Sequence, residues 1–440
     1  MNSYYSRCDQ LIRQFRALSR SPLVLGKDAT NLFRDRRRAA KGRLDVRHFN
    51  HVLAMEAGFV EAEGMIPYDE LVAATLARQA VPAVVPQLKS ITLGGALAGV
   101  GIEATSFRQG LVHETVLEFD VLTATGEIVT CTPNNEHQDL FRGFANSYGT
   151  LGYALRVKAR TLPVRPYVKV EHRRYADARA YFRELADHCR SDADFVDGVV
   201  FSGSEMYVTL ARFVNDAPYA SDYHFEHIYY HSIRERETDY LSAPDYIWRW
   251  DTDWFWCSKN LYAQNPLVRR LYGRRRLNSR TYTRIMRWNS RWGVTRALDR
   301  IAGRHPESVI QDVDIPIERA PEFLDFLLRE IGITPVWICP IGTSAARFDL
   351  YPLAPHSLYV NFGFWDVVQS RQPRERGHFN RLVENVVGAL GGVKSLYSDS
   401  YYSPDAFWQI YNRDTYRRLK ARYDPQGRLG DLYDKCVLHH

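Results

Sequence analysis

The chain has 440 residues, 45% of them apolar and 25% charged, which is enough for two or three domains around a large core. Its polar, basic N-terminus holds no apolar run, and no window reaches the roughly 20 apolar residues of a membrane span, so we expect neither signal peptide nor transmembrane segment. The net charge of +7 is local: residues 269–304 hold twelve arginines and one acid, Asp299, and so carry +11, leaving −4 elsewhere, which excludes a chain built throughout for nucleic acid.

In chain order, residues 44–55 and 57–65 predict short strands. Residues 67–80 predict a helix that opens on Pro67 with apolar residues at helical spacing. VPAVVP predicts a short strand between prolines. The run 114–132, ETVLEFDVLTATGEIVTCT, predicts a β-hairpin turning at Thr125 and Gly126, where glycine supplies positive φ. Residues 139–149 predict a helix with Asp139 as N-cap and Gly149 beyond its end, and GYALRVKARTLPV a returning strand. From about 166 to 395 a second α+β unit is expected. Its helices fall near 176–190 and 318–331, and its strands at 196–214, 309–317, 335–342, 346–351 and 357–364. An aromatic and arginine-rich insert, about 217–305, separates its halves. Residues 396–440 form a tail with a helix from Pro404 to about Tyr423. The six cysteines, Cys8, Cys131, Cys189, Cys257, Cys339 and Cys436, lack zinc-ligand spacing, and reduced thiols in a cytosolic chain are the expectation. Cys339, in a predicted strand, reads as a buried thiol.

The densest chemical signal is Pro86–Gly110, PQLKSITLGGALAGVGIEATSFRQG, with Gly94, Gly95, Gly99, Gly101 and Gly110 interleaved with Thr92, Thr105 and Ser106. Closely spaced glycines let backbone approach a flat ring or a diphosphate, and their N–H groups cradle phosphate oxygens. A glycine-rich turn between strands is the alternative. Gly99–Ala104 also fits GxGxxA, with Asp120 at ribose distance, but ATSFRQGLVHETV is a poor helix where a Rossmann fold requires one.

TLGGALAGVGIEATSFRQGLVHETV resembles the second FAD-binding loop of the vanillyl-alcohol oxidase / p-cresol methylhydroxylase superfamily, and within it the delta-24 sterol reductase branch. The resemblance continues through DLFRGFANSYGTLGYALRVKARTLPV, VIQDVDIP, PVWICPIG and LYSDSYYSPDAFWQIYNRDTY, and ends at LYDKC. It implies an α+β fold: a two-subdomain FAD-binding domain over 1–165, a cap domain with an antiparallel sheet and a helical insert over 166–395, and a segment 396–440 returning to the flavin. By resemblance, Thr92, Gly94, Gly95, Gly99, Gly101, Ile102, Glu103 and Ser106 line the cofactor. Gly149, Thr150 and Gly152 contact it from the next strand, and Lys435 holds the flavin's N1–C2 carbonyl region. Lys27, Asn31 and Leu32 take the place of the first diphosphate loop. GKDATNLFR has no histidine and PQLKSITLGG no cysteine to tether the ring, so non-covalent FAD is expected.

The expected reaction is reduction of a C=C bond in a sterol-like or isoprenoid lipid, with NADPH as hydride source. Oxidation of an alcohol or a lipid-linked sugar, and a non-catalytic flavin- or lipid-binding role, remain open. Saturating a double bond needs hydride at one carbon and a proton at the other, which a tyrosine or a protonated carboxylic acid supplies. The candidates are Tyr401, Asp399, Asp312 and Gln311, together with Tyr402. Trp337, Ile338, Phe362, Phe364 and Trp365 line a lipid-sized pocket or are ordinary core. In the insert, Trp248, Trp250, Trp254 and Trp256 precede Arg280, Arg284, Arg287 and Arg291, which share one helical face beside Ile285, Trp288 and Trp292. That pattern suits a helix lying on an anionic membrane, a polyanion site, or a solvated face.

Overall fold

In the computed structural model, residues 3–19, 22–27, 33, 42–292 and 305–439 are described, with 287–292 described by backbone alone. Sixteen strands form among them: β1 (Leu23–Gly26), β2 (Gly42–Asp45), β3 (Val52–Glu56), β4 (Phe59–Glu63), β5 (Ala80–Pro82), β6 (Val116–Leu122), β7 (Ile128–Cys131), β8 (Tyr153–Pro163), β9 (Tyr167–Tyr175), β10 (Phe195–Ser202), β11 (Glu205–Val214), β12 (Thr238–Ser242), β13 (His305–Pro316), β14 (Val336–Gly342), β15 (Leu358–Ser370) and β16 (Val393–Lys394). A small parallel pair, β1–β2, sits apart from two antiparallel sheets. One sheet runs β3-β4-β8-β6-β7 with β5 on β8, and the other runs β12-β9-β11-β10-β14-β15-β13-β16. The chain is an α+β fold.

The first sheet is buried by local and distant partners. The hairpin β6–β7 turns at Gly126, whose φ is +86°. Helices Pro404–Ile410 and Arg413–Tyr423 from the tail insert Phe407, Tyr411, Tyr416 and Leu419 into the same core as Val60, Phe119 and Val157. One tail helix was predicted there. Two form because Asn412, at φ +54°, breaks the run and caps the second through Thr415 N. An N-terminal helix, Tyr4–Ala17, for which no signal was read, buries Cys8, Leu11 and Phe15.

The larger sheet carries helices Ala178–His188, Ala320–Phe326 and His378–Ala389 on one face. Its other face is covered by the insert, whose Trp250, Trp254, Phe255 and Trp256 are buried against Trp337 and Cys339. Two expectations fail locally. Residues 346–351 form a turn instead of a strand, because Phe348, Leu350 and Tyr351 anchor it in the first core and Asn146 Nδ2 donates to Leu350 O. The helix expected over 139–149 stops at Gly143, since Asn146, Tyr148 and Gly149 all take positive φ.

Candidate active site

A cavity of about 460 Å³ lies where the two sheets and the insert meet. Its first wall is the glycine segment. Thr92 caps the helix Leu93–Ala98, its hydroxyl accepting from Gly95 N at 3.3 Å, and Gly99 ends that helix. Helix therefore precedes the GxGxxA run, the reverse of a Rossmann turn. Asp120, the ribose ligand on that reading, is held by Arg156 Nε at 2.7 Å and Thr130 Oγ1 at 2.8 Å. Gly149, Gly152 and Ala154 continue the wall, with Lys435 beside them donating to Tyr148 O at 2.6 Å.

The second wall is the larger sheet. Side chains alternate along a strand, so Ser308, Ile310 and Asp312 of β13 face the cavity while Val309 and Val313 pack among the helices. Asp312 pairs with Gly363 of β15, where a Cβ would come within 2.8 Å of its Oδ1 and 2.6 Å of the Trp365 ring. Trp365 donates from Nε1 to the Tyr397 hydroxyl at 2.8 Å, and that hydroxyl bonds the Asp312 carboxyl. Burial pushes Asp312 up to about 7; the Tyr397 hydrogen bond pulls it down and the neighbouring Asp314 charge pushes it up. Asp312 thus stands near the midpoint of its titration at neutral pH. The third wall belongs to the insert: Trp254, Phe255, Cys257, Leu261 and Met286. Burial drives the Cys257 thiol up to about 12, so it stays protonated.

The anticipated residues separate into two sets. Thr92, Gly94, Gly95, Gly99, Gly101, Ile102, Gly149, Gly152, Asp312 and Lys435 line the cavity, as do Lys27, Trp337 and Trp365. Glu103, Ser106, Thr150, Gln311, Asp399 and Tyr401 are not among the lining residues. Glu103 points into a buried ion cluster instead. Arg249 Nη2 reaches Glu103 Oε1 at 3.0 Å and Asp197 Oδ2 at 2.8 Å, and Trp337 Nε1 donates to the same Asp197 oxygen at 3.1 Å. Ser106 Oγ accepts from Glu103 N, and Thr150 Oγ1 donates to Ser147 O. Gln311 alternates away from Asp312 and donates to Asn380. The Asp399 carbonyl accepts from Lys394 Nζ. Tyr401 stacks under Arg381, and its backbone N–H donates to Glu384. The tyrosine of that motif on the cavity is Tyr397, four residues earlier in the same irregular segment. Ile338, Phe362 and Phe364 pack with the helices. Asn31 and Leu32 lie outside the described residues, as do the side chains of Arg287, Trp288, Arg291 and Trp292.

The glycines also serve the chain itself. A Cβ on Gly94 would meet Gly64 O at 2.9 Å, and one on Gly101 would meet Val112 at 2.6 Å, whereas one on Gly95 meets only the Thr92 side chain. Polar groups on the cavity remain unspent: both amide atoms of Gln87 and the Oδ1 of Asp312 are buried without a hydrogen-bond partner. Buried polar atoms left this way favour a ligand that supplies the missing partners.

Residues 11–132 match the family described as FAD binding domain. The chain is an FAD-dependent oxidoreductase with a p-cresol methylhydroxylase-type FAD-binding domain. Among curated proteins it is similar to the Delta(24)-sterol reductase of Rattus norvegicus, 26% identical over 371 residues that cover 80% of this chain and 69% of that one. The Delta(24)-sterol reductase of Pisum sativum is 24% identical, with 91% of this chain and 77% of that one covered. Cytokinin dehydrogenase 7 of Oryza sativa subsp. japonica is 31% identical over 176 residues, 39% of this chain and 33% of that protein. The cavity of this flavoenzyme suits such a cofactor: one wall presents backbone with no side chain, and the opposite wall is aromatic. Among the described residues no helix is long and apolar enough to cross a membrane, and no cluster of metal-ligating side chains is present.

Proposed function

We propose that this flavoenzyme reduces a C=C bond of a sterol-like or isoprenoid lipid, with NADPH as the electron source. The observation that carries the reading is Asp312, a buried carboxylic acid raised to about 7 and set on the cavity wall among Ile310, Trp337 and Trp365. The names of the sterol reductases to which the chain is similar support the substrate class.

The glycine wall, with Thr92, Gly95 and Gly99, would hold the diphosphate of FAD, and Ile102, Gly152 and Lys435 its ring region. Bound there, FAD would supply hydride chemistry at one carbon of the double bond. Asp312 delivers the proton to the other carbon, so that the substrate gains two hydrogens and one C=C bond becomes a single bond. The carboxylate left on Asp312 is stabilised by the Tyr397 hydroxyl, which Trp365 orients. Trp337, Trp365 and Phe255 exclude water from the substrate side, and the Asp197 carboxylate fixes the Trp337 ring.

The reverse assignment, a dehydrogenase or oxidase of an alcohol, draws support from the midpoint titration of Asp312, since the ionised form is a general base. Anaerobic mixing of the oxidised enzyme separates the two. Bleaching of the flavin by NADPH, followed by a sterol product carrying two extra hydrogens, is the expected result. Bleaching by an alcohol with none by NADPH would overturn the reductase reading in favour of the dehydrogenase. No reaction with any donor would leave a binding protein.

A further inference from the structure

Among the described residues of the insert, three large apolar side chains are exposed by more than two thirds. Leu271 is 81% exposed, Tyr262 78% and Leu267 72%, and only Tyr5 matches them among the described large apolar side chains. Leu267 and Leu271 are four residues apart on the helix Pro266–Tyr272 and so share a face. That helix is firmly seated. Arg269, on its inner side, is buried and makes a two-pronged pair with Asp253, Nη1 to Oδ1 at 2.6 Å and Nη2 to Oδ2 at 2.9 Å, while Nη1 also donates to Ala263 O at 3.1 Å. The leucines are therefore held outward by a buried ion pair. Exposed Arg270, Arg275 and Arg276 flank them, Gly273 turning the chain at φ +69° between helix and arginines.

The patch adjoins the cavity. Asn260 and Leu261, immediately before Tyr262, line it, as does Val367, which is itself exposed. By contrast Trp248, Trp250, Trp254 and Trp256 are core, and Arg280 is bound to Asp69 at 2.6 Å. The later arginine face is thus partly spent within the protein.

We propose that Tyr262, Leu267 and Leu271, ringed by Arg270, Arg275 and Arg276, dock the enzyme on an anionic lipid bilayer with the cavity mouth at the membrane. Apolar side chains enter the headgroup boundary while arginines meet lipid phosphates and carboxylates. The choice of a bilayer over another acidic surface rests on reading the cavity as one for a lipid.

The test is co-sedimentation of holoprotein at low salt with vesicles of phosphatidylcholine, with and without phosphatidylserine. Wild type should bind the anionic vesicles. The pair Leu267→Ser/Leu271→Ser should weaken that binding roughly 100-fold or more, at roughly tenfold or more per leucine withheld from the apolar phase. The triple variant Arg270→Gln/Arg275→Gln/Arg276→Gln should weaken it roughly 100-fold, at about fivefold per arginine. All five replaced side chains are exposed, so each variant should keep its flavin and its melting temperature. No binding by wild type, or equal binding by both variants, would overturn the docking surface. Loss with the arginine variant alone would show contact by charge without apolar insertion and likewise overturn the proposal. Binding is read without turnover, so vesicle docking through these residues with no sterol reduced would sink the functional reading and leave the docking surface standing.

Discussion

Asp312 holds its proton near neutrality because burial opposes the carboxylate more than the Tyr397 hydrogen bond favours it. The proton-transfer step needs the acid form, so its rate should be level below pH 7 and fall as pH rises through about 7. Tyr397→Phe removes an interaction that lowers the pKa, so the falling limb should move to higher pH. Tyr401→Phe should leave the limb in place and turnover within about threefold, since its ring lies off the cavity under Arg381. Asp312→Asn should slow product formation roughly 100- to 10,000-fold, the usual range for a lost general acid. Bleaching by NADPH should persist in that variant. A pH profile with no limb near 7, or a product rate that survives Asp312→Asn, would remove Asp312 from the reaction.

At the scale of elements, the glycine segment separates two demands. Gly94→Ala drives a methyl against the Gly64 carbonyl, backbone that has no easy escape, so melting temperature should drop along with flavin content. Gly95→Leu faces only Thr92 and the cavity, so it should give a folded protein depleted of flavin, read by visible absorbance against thermal melting. The sequence showed that this segment is special but not which glycine serves which demand, because Gly64 and Ala154 reach Gly94 only through the packing of β4 and β8. The strand itself was legible, but both Gln311 and Asp312 were expected on the cavity; being adjacent they point to opposite faces, and only Asp312 lines it. The tail was harder. LYSDSYYS has no regular period, and only the loop path from β16 places Tyr397 beside Asp312 and turns Tyr401 away.

Across the whole molecule, Arg249 joins the glycine segment to the larger sheet, since it bonds Glu103 on one side and Asp197 on the other. It is buried, and burial pushes its partner Glu103 up to about 7 even though the arginine charge pulls it down. Arg249→Met strands two buried carboxylates and should cost about 3–5 kcal/mol in urea unfolding. A loss under about 1 kcal/mol would mean that the cluster contributes little. The insert was legible as an aromatic and basic segment. Trp250, Trp254 and Trp256 are core because the larger sheet has a second face to cover, a demand that no local pattern carries. Non-covalent cofactor was inferred from loops that lack a tethering side chain, yet Cys257 also lines the cavity. Acid precipitation should release yellow FAD; flavin retained in the pellet would point to that thiol.

The most direct measurement is anaerobic reoxidation of the reduced holoenzyme by a Δ24-unsaturated sterol, followed by flavin absorbance and by mass analysis of the sterol. A reductase in which Asp312 supplies the proton should regain its oxidised spectrum with one saturated sterol formed per flavin, and the Asp312→Asn variant should stay reduced on the same timescale. Reduced flavin that persists in the wild-type enzyme with the sterol, while an alcohol bleaches the oxidised form, would contradict it.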